Sequence, residues 1–231
     1  MDRLPSISVI IPTFRREDAL IRAIASTHEP DLDVEVIVID DSPERSAESS
    51  VVKLGRSDVR YVAMPTPTGG RPALVRNLGI DLARHEVLYF LDDDDQVLPG
   101  GLRAFAEALA THPEAGVAFG TVRCVGPDEQ TRVRYQAWFD HVAASARAVR
   151  RSSWLTAGVV MFRGTVLINS CCAIRRDVAR DLGGYDPEIE VYEDVEFFTR
   201  GIRLAGHCFV DQPVLLYSTA VSYTHLTLPT N

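Results

Sequence analysis

Two hydrophobic periods alternate through the first hundred residues. Short, predominantly apolar runs at residues 7–11, 34–39, 59–63 and 86–91 have the composition of buried strands. Between them, Ala19, Leu20, Ala23 and Ile24 recur at helical spacing, and Leu74, Leu78 and Leu82 line one face of a helix running from Pro72 to about Arg84. Pro12 ends the first run, Asp40-Asp41-Ser42-Pro43 the second, and a Pro/Thr/Gly loop at residues 64–70 the third. Apolar strands separated by helices predict a single α/β domain with a mostly parallel central sheet flanked by helices. In such sheets ligands bind beyond the carboxyl ends of the strands. That rule gathers Pro12-Thr13-Phe14, Asp40-Asp41 and the four-aspartate run Asp92–Asp95 onto one rim.

The second half is less regular. It predicts a helix at 99–111, a strand at 117–121 and a polar stretch to about residue 153. Within that stretch, residues 138–151 have amphipathic spacing and read as a surface helix rather than a membrane- or acceptor-contacting element. A buried strand at 166–174, a short helix at 177–182 stopped by Gly183-Gly184, and a longer helix at 194–205 complete the pattern.

Composition narrows the function. A net charge of −8 argues against a nucleic-acid binder, which needs a concentrated basic face. There is no uncharged apolar run of membrane-spanning length, and the opening residues lead directly into a strand without a secretory pattern, so a cytoplasmic protein is expected. Cys124, Cys171, Cys172 and Cys208 lack CxxC spacing and read as reduced, structural thiols.

Consecutive ionised aspartates repel one another, and a hard divalent ion relieves that repulsion. Mg²⁺ or Mn²⁺ suits the position, because either takes one or two carboxylates and completes its shell with substrate phosphates and water. Thr13, Phe14, Arg15 and Arg16 add a hydroxyl, an aromatic face and positive charge nearby. Glu193-Asp194 at a helix start has two readings, a helix-dipole cap or a catalytic carboxylate pair, and residue chemistry alone leaves both open.

The segments SVIIPTFRR, VIVIDDSP, RNLGIDLARHEVLYFLDDDD and GGYDPEIEVYEDVEFFTR, in this order, resemble family 2 glycosyltransferases of the GT-A fold over about residues 7–217. The resemblance implies a nucleotide-diphosphate sugar donor, a saccharide or other hydroxyl acceptor, a divalent metal (Mg²⁺ or Mn²⁺) and inversion at the anomeric carbon. It places Pro12 and Phe14 in the base pocket, Asp40 on the base and Arg76 near the donor. Asp92-Asp93-Asp94 becomes the DxD signature, with Asp92 or Asp93 near the ribose and Asp94, joined by Asp92, on the metal. Asp194 becomes the general base and Glu193 its neighbour at the acceptor. Peripheral association with the inner face of a membrane is compatible with this reading.

Val75 departs mildly from the alanine usual in the family's ARN segment. Residues 221–231 depart strongly: they resemble a translated sequencing adapter, so His225 is not carried over as a metal ligand, and residues 1–220 are expected to form the domain. A sugar-nucleotide pyrophosphorylase would share the general fold, but PTFRRED stands after the first strand where its glycine-rich loop is expected, and two further rivals stand beside the glycosyltransferase. One is a donor-binding but catalytically silent remnant. The other is a phosphatase built on Asp93-x-Asp95-x-Val97, disfavoured because the chain's one lysine, Lys53, lies upstream of that motif.

Overall fold

The computed structural model describes residues 3–163 and 167–219, with the side chains of 160–163 excepted. One eight-stranded sheet organises the chain in the order β3-β2-β1-β4-β7-β6-β8-β5. The strands are β1 (Ile7–Thr13), β2 (Val34–Asp40), β3 (Val59–Ala63), β4 (Val87–Phe90), β5 (Gln96–Val97), β6 (Val117–Val125), β7 (Cys172–Arg175) and β8 (His207–Ser218). Only β7 and β5 run against the others, so the ends of β1, β2, β4, β6 and β8 face the same way. Interleaved are α1 (Glu17–Ser26), α2 (Glu48–Lys53), α3 (Pro72–Leu82), α4 (Gly101–Thr111), α5 (Glu129–Val149), α6 (Ser153–Arg163), α7 (Arg176–Asp181) and α8 (Glu193–Ala205).

The central strands are buried on both faces, which is why they read as continuous apolar runs; Ile7, Val9, Ile10 and Ile11 are wholly inaccessible. Parallel pairing of β1 with β2 sets Pro12 beside Ile39 and Thr13 beside Asp40, bringing two loops far apart in sequence to one rim. Helix α3 lies close enough on β1 that a Cβ at Gly79 would meet Ile10 Cγ2 at 2.4 Å. Helix α8 is seated by Phe197 and Phe198 beneath the site: Phe197 stacks on Tyr185 at 4.0 Å, and both phenylalanines meet Phe90 edge-on.

Three expectations for the second half are corrected. The helix expected at 138–151 starts earlier, at Glu129, where Asp128 accepts a capping bond from the Thr131 amide at 2.7 Å. It is not merely a surface helix, because Tyr135, Phe139, Val142, Ala143 and Ala146 are buried and the first two rings pack on Tyr217 of β8. The strand expected at 166–174 is confined to Cys172–Arg175, preceded by a 3₁₀ turn at Asn169–Cys171. Asn169 and Ser170 spend their side chains on hydrogen bonds toward the site, and the turn presents them for it. Residue 166 and the tail at 221–231 lie outside the described residues.

All four cysteines are buried thiols outside any disulfide. Burial pushes Cys124, Cys171 and Cys208 up to about 12, which keeps them protonated and unreactive. Among the described residues no helix is long and apolar enough to cross a membrane.

Candidate active site

The strand ends assemble the rim that the sequence predicts, and the four aspartates divide into different tasks. Asp92 follows β4 after Leu91; its backbone N–H is held by Ser170 Oγ at 3.0 Å, and one carboxylate oxygen receives Arg76 Nη2 at 2.8 Å. Asp93 is nearly enclosed and accepts from Thr13 Oγ1 at 2.8 Å and from Arg16 Nη1 at 3.2 Å. Asp94 accepts from the same Arg16 nitrogen at 3.1 Å. Asp95 is buried and accepts the Ser218 amide at 2.9 Å, so fastening the end of β8.

Burial and the neighbouring aspartates push the Asp94 carboxyl up to about 6, with Arg16 opposing. Burial likewise raises Asp93, against the pull of Thr13 and Arg16. This is the electrostatic deficit that an added cation would relieve. Among the described residues, Asp92 and Asp94 each keep one carboxylate oxygen without a protein partner, and no three acidic, His or Cys side chains converge as a closed metal cage. Two open carboxylates fit a Mg²⁺ or Mn²⁺ ion that draws its remaining ligands from phosphates and water, and would not suit an all-protein site.

Arg76 is the hinge pin of the site. Its guanidinium, 6% exposed, reaches Asp92 with one terminal nitrogen and Glu193 with the other, both at 2.8 Å, and lies 5.7 Å from the centre of the Tyr185 ring. Burial disfavours its charge, but Asp92, Tyr185 and Glu193 outweigh that and hold its pKa above the ordinary value. The β4 rim and the N-terminus of α8 are thereby joined through one side chain.

Asp194 is half-buried at the start of α8, where Oδ1 accepts its own helix's Val195 amide at 2.7 Å. Burial first, and the adjacent Glu193 charge second, push its carboxyl up to about 7, with Arg76 opposing. A carboxylate poised there suits proton transfer near neutrality.

On the β2 side, Asp40 is fully buried. Its oxygens accept from the Ser42 amide at 2.9 Å, the Ala47 amide at 3.0 Å and the Tyr61 hydroxyl at 3.0 Å. A direct bond from Asp40 to a base would require one of these donors to yield. Asp41 holds the loop after β3, accepting from the Thr68 amide at 2.6 Å and the Thr68 hydroxyl at 2.7 Å. Pro12 stands beside Ile39 at the end of β1, and Phe14 is exposed, with Arg15 over its ring at 4.8 Å.

Asn77 is a structural partner of the site that sequence reasoning missed. Its amide pairs in both directions with the Tyr185 backbone, donating to the carbonyl and accepting from the N–H, each at 2.8 Å. Its adjacency to Arg76 in the RN segment was the available signal. Gly184 makes this close approach possible: its φ is +78°, and a Cβ there would stand 2.4 Å from Asn77 Oδ1. Gly184→Ala is expected to lower stability by about 2 kcal/mol, from left-handed strain together with the displaced amide pair, as read by urea denaturation.

The mostly parallel sheet with its flanking helices has the GT-A fold, shared with S. aureus TarS. The glycosyl transferase family 2 model matches residues 8–183, and the chain belongs to that family. A Campylobacter jejuni GalNAc(5)-diNAcBac-PP-undecaprenol beta-1,3-glucosyltransferase is 39% identical over 102 residues, covering 43% of this chain and 33% of the relative. A pre-mycofactocin glycosyltransferase of Mycobacterium tuberculosis is 26% identical over 226 residues, covering 96% of this chain and 43% of the relative. The crystal structure of S. aureus TarS 1-349 in complex with UDP-GlcNAc superimposes with a TM-score of 0.67 at 18% identity, covering 94% of this chain and 59% of that one. The chain thus spans about a third to three-fifths of the length of these proteins.

Proposed function

We propose that the chain transfers a sugar from a nucleoside-diphosphate donor to an acceptor hydroxyl with inversion at the anomeric carbon. The observation that carries this reading is the Asp92–Arg76–Glu193 bridge, which sets a carboxylate rim against a helix bearing a poised carboxyl. The binding of UDP-GlcNAc by TarS, which shares the fold, supports the donor class.

Pro12 and Phe14 line the base pocket, and Asp40 shapes its floor through the turn it holds. Asp92 or Asp93 lies near the ribose, and Arg76 approaches the donor. Asp94 and Asp92 would hold Mg²⁺ or Mn²⁺, which would supply charge neutralisation for the departing diphosphate. Asp194 takes the acceptor hydroxyl's proton as that oxygen bonds to the anomeric carbon and the carbon–phosphate-oxygen bond breaks on the opposite face. Glu193, fixed by Arg76, orients the acceptor. The acceptor is a saccharide or another hydroxyl compound.

A thermal-shift titration with UDP tests the donor side, because a ligand that binds only the fold raises Tm by mass action. UDP with Mn²⁺ is expected to raise Tm more than UDP alone, and Asp94→Ala to erase the difference. The Mn²⁺-dependent part should also fade below about pH 6, where Asp94 protonates. Equal shifts with and without Mn²⁺ in the parent would remove the metal from the proposal.

A further inference from the structure

Tyr192, immediately before the α8 carboxylates, has a backbone that its residue type disfavours. It sits at φ +62°, ψ +27°, a left-handed conformation that an aromatic L-residue adopts only when the surroundings impose it. The surroundings here do impose it. Upstream, the loop is pinned to α3 by the Asn77–Tyr185 amide pair and by Arg71 Nη2 donating to the Pro187 carbonyl at 2.5 Å. Downstream, Glu193 is fixed by Arg76, and Arg200 of α8 donates to the Leu182 and Gly184 carbonyls, both at 2.8 Å. Between these anchors the strain at Tyr192 is held and not relaxed.

The side chain so placed is spent on no packing that explains it. Tyr192 is 53% exposed and Val191 51%, while the neighbouring Phe197 and Phe198 are wholly buried. No ring contact or hydrogen bond involves the Tyr192 side chain among the described residues. Strain retained for a solvent-exposed residue that immediately precedes two carboxylates in the chain points to a ligand as the ring's partner.

We propose that Tyr192, flanked by Val191, is a stacking platform for a pyranose ring of the acceptor. Sugars present an apolar C–H face and a rim of hydroxyls. An aromatic residue directly preceding Glu193 and Asp194 offers the complement of both, with the ring against the C–H face and the carboxylates accepting from the hydroxyls. This narrows the acceptor from any hydroxyl compound to a saccharide. It rests on the reading of Glu193 and Asp194 as the acceptor-side carboxylates.

Saturation-transfer difference NMR with methyl β-D-glucopyranoside and its N-acetylglucosamine analogue, in the presence of UDP and Mn²⁺, tests the platform directly. Transfer is expected to concentrate on the axial protons of one sugar face. It should fall by about tenfold in Tyr192→Ala and persist in Tyr192→Phe, because the face and not the hydroxyl makes the contact. Tyr192→Gly should lose the sugar signal too, yet raise Tm by about 2 °C through relief of the left-handed strain.

Absence of sugar signal in the parent, an undiminished signal in Tyr192→Ala, or a lower Tm in Tyr192→Gly would each overturn the platform; the last would mark Tyr192 as a structural anchor of α8. The UDP thermal shift is read on the same samples. Loss of the UDP response with a retained sugar signal would overturn the donor reading alone, and the reverse would overturn the platform alone.

Discussion

Arg76→Ala is expected to destabilise the fold by about 3 kcal/mol and to remove donor-dependent stabilisation by UDP with Mn²⁺. Removing one partner of a buried ion pair leaves the other charge without compensation, at a cost of about 3–5 kcal/mol. Here two carboxylates lose their partner at once. Glu193 is 12% exposed and carries most of that cost, whereas Asp92, a third exposed, is partly rescued by water. Arg76→Lys should recover only part of the loss, since a single ammonium does not span both carboxylates as the guanidinium fork does. Urea denaturation of the parent and both variants reads the order parent, Lys, Ala. A stability loss under about 1 kcal/mol for Ala would mean that the bridge is solvated and contributes little.

The rim was legible because its signals are local. Pro12, the Asp40–Pro43 turn and the aspartate run each end an apolar strand, and the parallel-sheet rule then places strand ends together. The sharing of tasks along Asp92–Asp95 was not legible, because each aspartate is distinguished by a distant partner. Asp95 is spoken for by Ser218, 123 positions on, and Asp93 by Thr13, 80 positions back. Arg76 and Glu193 lie 117 positions apart and signal their pairing only through the family resemblance. The misread strand at 166–174 shows the same limit from the other side. Its apolar run includes Asn169 and Ser170, whose polar atoms serve Tyr185 and Asp92 across the sheet, and one-dimensional periodicity carries no trace of that. The helical spacing of Tyr135 and Phe139 lies within a stretch whose composition is otherwise polar. The β8 partner of that helix face is more than 70 residues downstream.

Asp194→Asn separates the two readings that residue chemistry left open for the start of α8. If Asp194 is the proton acceptor, transfer should fall by about 10²-fold or more, while the Tm shift with UDP and Mn²⁺ stays as in the parent. Parent transfer should rise with pH and level off above about 7, since only the ionised carboxyl takes the proton. Stability should move the opposite way. A carboxyl raised from 3.8 to about 7 in the fold favours folding while protonated, and that contribution is lost as pH rises through about 7. Asparagine does not ionise, so the variant should match the parent near pH 4 and exceed it in denaturation midpoint above pH 7. A helix cap predicts the reverse at neutral pH, because an ionised carboxylate at a helix N-terminus is favoured by the dipole and its loss costs about 0.3–1 kcal/mol. Activity and stability at pH 8 therefore carry opposite signs under the two roles. A variant that keeps full transfer, or that is less stable than the parent at pH 8 with unchanged turnover, would assign Asp194 to the helix and send the search for the base to Glu193.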